Sequence, residues 1–275
     1  AKLIGYTQSS RFEDAFNRES NTPGGTLIAE EKDYDLTTEM RGFNAALTST
    51  LKINETQHIL SYGFDISESN GSRIRRTLNL NTGKIKIEKD TPDAIISRSG
   101  IYLQDQILIG DFDIVAGVRY DRYSLDAIND SIYNTSQKSE EPVADQKYDV
   151  VSPKLTVSYA PSETTSIYAR YSQGFRPPAW YEVNSSFSNP AFGYKTVPNP
   201  DLRPETSNDF EIGLKMSLDQ MDLTVASYYN RYSDLIEEFA PLGIVDELTI
   251  FMTQNIGLAE IYGIEFAGKY FFDET

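Results

Sequence analysis

The chain contains no cysteine, which removes disulfides, thiolate metal sites and cysteine nucleophiles together. Histidine is nearly absent as well, with His58 standing alone. Catalytic bases and metal ligands work with partners, and a single imidazole has no second one to join. No apolar run approaches the roughly 20 residues that a membrane-crossing helix needs. The opening Ala1-Lys2-Leu3-Ile4 has no long apolar core behind it and does not read as a signal peptide. Basic charge is scarce: 25 Lys and Arg stand against 41 Asp and Glu, a net of -16. Such a surface repels a phosphate backbone, which argues against nucleic acid as a partner. Phosphate-cradling loops, dinucleotide fingerprints and nucleophile elbows are also missing, so no common enzyme motif presents itself.

What is there is aromatic and alternating. The chain holds 18 Tyr and 14 Phe beside one Trp. Tyrosine suits positions where one end of the ring is wet and the other dry, in sheets and at membrane interfaces. Period-two patterning recurs. Phe112, Ile114, Ala116, Val118 and Tyr120 fall on one face, against Asp113, Gly117, Arg119 and Asp121 on the other. Phe210, Ile212, Leu214, Met216 and Leu218 oppose Glu211, Gly213, Lys215 and Ser217. Leu155, Val157 and Tyr159 repeat the pattern, as do Leu60, Tyr62, Phe64 and Ile66. We count about ten strands by this rule. They lie near 1–9, 36–53, 56–67, 97–109, 112–125, 147–160, 164–175, 206–218, 221–237 and 249–272. Most are about as long as the 9–11 residues that a tilted strand needs to cross a bilayer.

The connections alternate in length. Asn54-Glu55, Gly110-Asp111, Pro161-Ser162-Glu163 and Asp219-Gln220 read as tight turns. Between them lie long loops at 10–35, 68–96, 126–146, 176–205 and 238–248. Short turns at one end and long loops at the other are the pattern of an outer-membrane barrel, with turns in the periplasm and loops outside the cell. Odd-numbered strands then run outward and even ones return. The loops 10–35 and 126–146 are acidic, and runs such as Ser139-Glu140-Glu141 are solvated. His58 shares parity with the lipid-facing set beside the turn at 54–55, where we expect an interfacial side chain.

One loop differs from the others. Arg170-Tyr171-Ser172-Gln173-Gly174-Phe175-Arg176-Pro177-Pro178-Ala179-Trp180-Tyr181 is followed by Pro198-Asn199-Pro200-Asp201-Leu202-Arg203-Pro204-Glu205-Thr206. Its prolines stiffen the backbone without a sheet around it. A stiff aromatic loop loses little entropy on contact, so it suits either ligand binding or packing over the barrel rim.

This stretch resembles the TonB-dependent receptors, and within them the haem and haemoglobin receptor group (the haemoglobin/transferrin/lactoferrin receptors). That group carries a Phe-Arg-Ala-Pro box and an Asn-Pro-Asp-Leu box around one extracellular loop. Here they stand as Phe175-Arg176-Pro177-Pro178, with Pro177 in place of the Ala, and Asn199-Pro200-Asp201-Leu202. Arg203-Pro204-Glu205-Thr206-Ser207, Asn255-Ile256-Gly257, Ala259-Glu260-Ile261-Tyr262-Gly263-Ile264-Glu265, Gly100-Ile101-Tyr102-Leu103-Gln104-Asp105-Gln106 and Gly117-Val118-Arg119-Tyr120-Asp121 are in the wider family's character. The resemblance runs from about residue 97 onward; before that, the barrel rhythm alone speaks.

The resemblance implies an all-β, antiparallel transmembrane barrel of roughly 22 strands whose lumen holds a plug. We expect residues 1–275 to form one partial barrel domain of about ten strands without the plug. It implies an outer-membrane receptor of a Gram-negative bacterium, not an enzyme, that takes up haem or a haem protein. A ferric siderophore is the alternative. Outer-membrane lipid and, through the plug, the TonB energy-transducing complex are the expected partners. No resident cofactor or metal is expected, since haem or a siderophore is cargo. Phe175, Arg176, Trp180, Tyr181, Phe187, Phe192, Tyr194, Asn199, Asp201 and Arg203 are the expected ligand-contacting residues. Arg176 and Arg203 are the expected cations for ligand carboxylates, and the aromatics would stack on a flat ligand. Haem receptors of this type place a histidine between the boxes. Residues 179–198 contain none, which leaves Tyr181 or Tyr194 as iron ligands and keeps the siderophore open. Two further readings are a ten-strand barrel protease, which needs a base at the loop end where His58 does not lie, and a soluble β-sandwich adhesion module, which needs short strands.

Overall fold

The computed structural model describes residues 1–21, 27–136 and 143–272. In chain order the elements are β1 (Lys2–Asn21), β2 (Leu27–Ile53), β3 (Thr56–Asn79), β4 (Ile85–Glu88), β5 (Asp93–Ile109), β6 (Phe112–Ile128), α1 (Ser131–Ser136), β7 (Gln146–Ser162) and β8 (Thr165–Arg176). There follow α2 (Trp180–Asn184), β9 (Phe187–Asn189), a 3-10 turn (Pro190–Phe192), β10 (Tyr194–Val197), β11 (Glu205–Leu218), β12 (Met221–Ser233), β13 (Ile236–Val245), β14 (Leu248–Asn255) and β15 (Leu258–Tyr270).

Ten strands form one antiparallel wall in the order β1-β2-β3-β5-β6-β7-β8-β11-β12-β15, with β4 added beside β3. The expected meander is therefore present, strand for strand. The period-two faces are also as expected. Tyr62, Phe64, Ile66, Phe112, Val118, Tyr120, Leu155, Tyr159, Phe210 and Ile212 all lie exposed on the outer face. This is the surface a barrel turns to hydrocarbon, and its apolarity costs nothing there. Tight turns close one end at 54–55, 110–111, 163–164 and 219–220, the third one residue later than the 161–163 expected.

The opposite end departs from the expectation. Most of the supposed loops 10–35 and 68–96 are strand: β1 runs to Asn21, β2 starts at Leu27, and β3 continues to Asn79. Above the apolar band charged and polar residues break into the pattern, so the apolar-polar alternation fades while the backbone ladder, from Arg11↔Thr37 to Asn17↔Glu31, goes on. Within 126–146, α1 occupies 131–136, and the acidic run 139–141 lies outside the described residues.

Two expected strands also need correction. The stretches 221–237 and 249–272 each divide, because the chain leaves the wall and returns. β12 stops at Ser233 and β15 starts at Leu258, while β13 and β14 belong to a second sheet in the order β13-β14-β10-β9. Both breaks sit at left-handed residues, Asp234 (φ 56°) and Gly257 (φ 60°). They face each other through Asp234 N–H donating to Gly257 O at 3.0 Å, so the two strands turn away together. The supposed loop 238–248 is the tip of this hairpin. In the second sheet β10 pairs with β14 in parallel, Tyr194↔Thr249 to Val197↔Met252, which ties residues 177–204 to 234–257.

The main buried cluster joins wall to loop. Ala94, Ile96, Tyr123 and Leu125 on the inner face of β5 and β6 enclose Trp180 and Val183 of α2 with Leu202. Gly71 allows the approach: a Cβ there would lie 2.7 Å from the Trp180 ring.

Candidate functional site: an aromatic cleft under a folded cap

Residues 177–204 and 234–257 form a cap over the inner face of the wall at its loop end. Its frame is polar. Pro177 and Pro178 end β8, and Glu182 of α2 accepts the Ala179 N–H at 2.6 Å. Arg176 holds Glu205 in a fork, Nε to Oε2 at 2.6 Å and Nη2 to Oε1 at 2.9 Å, while its Nη1 reaches Glu182 at 3.0 Å. Glu205 also accepts the Ile236 N–H at 2.8 Å, so one arginine clasps β8, β11, α2 and the start of β13. Charge-assisted forks of this kind fix geometry as well as adding energy.

The second box is built in the same way. Asn199 is buried and donates to Thr253 O at 2.8 Å. Its Oδ1 accepts the Asp201 N–H at 3.0 Å. Gln146 donates to Pro200 O at 2.6 Å and Tyr148 to Leu202 O at 2.5 Å. Arg203 pairs with Asp234 at 2.5 Å, and Asn255 binds the Arg203 backbone in both directions at 2.9 Å. Next to the cap, α1 is pinned in a similar manner. Burial alone would raise Asp130, but hydrogen bonds from Lys89 and from the Tyr133 backbone outweigh it and hold the carboxyl below its usual range. Burial would lower Lys89, but Asp130 and Asp93 hold it above its usual range. Burial pushes the Tyr133 phenol up to about 12.

Between wall and cap lies a two-lobed cleft. One lobe has a volume of about 330 Å³, the other about 420 Å³, and Phe16, Tyr34, Arg73 and Tyr181 line both. On the wall, Phe16 and Tyr34 stack at 5.8 Å with 14° between their planes. On the cap, Phe187, Tyr194, Phe251 and Phe239 form a chain of ring contacts at 6.0–6.2 Å. Cations line the first lobe: Arg75 lies 4.6 Å over Phe187 and pairs with Glu88 at 3.0 Å, and Arg18 lies 5.1 Å over Phe192.

The structure thus separates the expected ligand contacts. Tyr181, Phe187 and Tyr194 line the cleft, and Phe192 is exposed beside it. Phe175 lines a separate hollow below, and Asp201 is exposed with its backbone tied to Asn199. Four of the expected contacts have structural partners of their own, Trp180, Arg176, Arg203 and Asn199. Trp180 is 7% exposed, its ring filling the core against Gly71. Arg176 pairs with Glu205 and Glu182, and Arg203 with Asp234. Asn199 holds the cap together. Burial raises the Tyr181 phenol, helped by Glu182 and Glu238, away from the phenolate that iron ligation requires. Phe16, Tyr34, Arg73 and Arg75 were missed because they stand on strand extensions that read as loops. The signal lay in the register that brings Tyr34 opposite Arg75. His58 sits at the turn end, far along β3 from Arg73, with Nδ1 2.7 Å from Asp105 Oδ2.

A ten-strand antiparallel wall with an apolar outer band, tight turns at one end and a folded cap at the other defines an outer-membrane β-barrel of the receptor class. Residues 2–274 match the family model "TonB dependent receptor-like, beta-barrel", and the chain belongs to that family of outer-membrane receptors. Among curated relatives it is 27% identical over 196 residues to the hemin receptor of Yersinia pestis, covering 65% of this chain and 26% of that one. It is 28% identical over 181 residues to the hemoglobin-haptoglobin utilization protein B of Neisseria meningitidis, covering 59% and 22%. The chain therefore spans about a quarter of the length of these relatives. Among solved structures, the Serratia marcescens hemophore receptor HasR, in complex with its hemophore and heme, superposes with a TM-score of 0.69 at 18% identity, over 97% of this chain and 47% of that one. The ferric citrate transporter FecA gives 0.66 at 14% identity, over 98% and 38%.

Proposed function

We propose that this chain is part of the wall of a receptor that takes up an iron-bearing ligand, haem or a haem protein, across the outer membrane. The observation that carries the proposal is the cap. The two boxes brace a folded cover over an aromatic, cation-bearing cleft on the inner face, at the end of the wall away from the tight turns. We place that end outside the cell, following the rule that turns are periplasmic and loops extracellular. A flat aromatic ligand fits between the Phe16–Tyr34 pair and the rings of the cap. The relatives named for hemin and haemoglobin-haptoglobin support the same ligand class. Inward movement would draw on the TonB complex through a plug. The protein works as a receptor and transporter rather than an enzyme, with haem as cargo rather than cofactor.

A second reading, a ferric siderophore receptor, is favoured by two observations: residues 179–198 hold no histidine, and burial disfavours phenolate at Tyr181. Binding of haem, haemoglobin and ferric siderophores to the full-length receptor in outer membranes separates the two. Saturable haem or haemoglobin binding is expected. Siderophore binding alone would replace haem as cargo, and binding of none would leave only the barrel.

A further inference from the structure

We infer that Arg73 is the residue by which the cleft recognises the carboxylates of a flat aromatic ligand. The inference rests on the receptor function proposed above and adds to it the residue and the chemical handle.

Arg73 lines both lobes of the cleft, at their junction with Phe16, Tyr34 and Tyr181. A ligand spanning the two lobes passes it. Its side chain is 37% exposed, and its ion pair with Asp90 is loose, at 3.6 Å, beyond hydrogen-bond length. Among the described residues no hydrogen bond engages its guanidinium. Of the other arginines nearby, Arg75 pairs with Glu88 at 3.0 Å, Arg176 with Glu205 at 2.6 Å and Arg203 with Asp234 at 2.5 Å, while Arg18 lies 5.1 Å over the Phe192 ring and lines the first lobe alone. Arg73 therefore keeps its fork of donors for an incoming carboxylate, which guanidinium geometry matches in bidentate fashion.

The local field agrees. The chain as a whole carries a net charge of -16, which repels an anion at a distance. The first lobe reverses that sign, with Arg18, Lys32, Arg73 and Arg75 against Asp90 and Glu238, whereas the second sets Asp14 and Asp35 against Arg73 alone, so the charged edge of a ligand belongs in the first. A concave surface of one sign raises the local concentration of the opposite charge. The stacked Phe16 and Tyr34 beside Arg73 offer ring faces to the planar body of the ligand while the guanidinium takes its charged edge. The site thus demands a planar aromatic body and a carboxylate together.

The test compares haem with haem dimethyl ester, which keeps the ring and masks the carboxylates, on the full-length receptor in outer membranes. The wild type should prefer the free acid by about tenfold or more, the scale of a charged hydrogen bond. Arg73→Gln should bind haem no better than the ester, and Arg73→Lys should retain part of the preference. An Arg73→Gln receptor that keeps the full preference overturns the inference and leaves haem uptake standing. Equal binding of acid and ester by the wild type overturns it too, even where the variant fails to assemble. A wild type that binds neither porphyrin overturns the haem function itself, and this inference with it.

Discussion

The wall and the cap follow different physical rules, although one chain weaves through both. In the wall, every strand pairs with a sequence neighbour or with the next strand of the meander, and a binary pattern decides which face each side chain takes. In the cap, β10 lies parallel to a strand that is some fifty residues away, Tyr194 against Thr249, and both are short. Its cohesion comes from side chains that bind backbone: Asn199 to Thr253, Gln146 to Pro200, Tyr148 to Leu202 and Asn255 to Arg203. Bilayer solvent specifies the wall; the cap, in water, needs individual polar partners and one aromatic plug in its core.

The contrast breaks most sharply at that plug. Trp180→Ala should undock the cap at a cost of about 3–5 kcal/mol, the usual range for deleting a large buried aromatic. Hydrogen exchange in the full-length receptor should rise across 177–204 and 234–257, while the β5–β6 ladder stays protected. Loss of protection through the wall as well would show that the two regions are one cooperative unit. The next largest effect lies on the outer face. Ile212 is 58% exposed toward lipid, and Ile212→Arg should destabilise the folded receptor in vesicles by roughly 2–4 kcal/mol. Ile244, 74% exposed at the hairpin tip, should tolerate the same change within about 0.5 kcal/mol in denaturant titration. Exposure is greater at Ile244, yet solvent, not exposure, sets the penalty.

A smaller effect depends on pH. Asp130 is held below its ordinary carboxyl range in the folded state. Its contribution is therefore present above the unfolded value and fades as pH falls through the folded one. Lys89 is held above its ordinary range, so its contribution is complete below the unfolded lysine value and fades at high pH. Exchange protection of α1 should be flat near neutrality and fall on both sides. In Asp130→Asn the acid limb should shrink, and an unchanged limb would assign it elsewhere.

How much of this was legible follows from the same contrast. The alternation at 112–120 and 210–218 gave strand, face and membrane side together, because lipid forces one rule on each outward residue. The extensions of β1, β2 and β3 stayed hidden, because a ladder in water needs no continuous apolar outer face to mark it. That is where Phe16, Tyr34 and Arg73 stand, so the wall half of the cleft was invisible. The boxes were visible, but residue type alone could not say whether Arg176 meets a ligand or Glu205. Trp180 misled for a similar reason: an aromatic in a proline-rich loop reads as exposed until Gly71 shows the space it fills.

The hairpin β13–β14 was missed for a chemical reason that yields the smallest prediction. Its turn is Asp246-Glu247, with φ of 49° and 64°. Two consecutive left-handed residues define the turn that matches strand twist, and Asn-Gly is its usual signature. Glutamate at the second position pays a steric penalty that glycine avoids. Two adjacent carboxylates add mutual repulsion. Replacing the pair with Asn-Gly should stabilise the hairpin by about 0.5–1 kcal/mol, read as slower exchange at Val245 and Leu248. The same pair placed at Asp219-Gln220, a turn between wall strands with no left-handed residue to relieve, should bring no gain, and the β11–β12 ladder from Thr206↔Ser233 to Leu218↔Met221 already fixes its register. A gain of equal size at both turns would mean that relief of left-handed strain is not its source. A gain confined to the hairpin would trace it to the left-handed pair at Asp246 and Glu247.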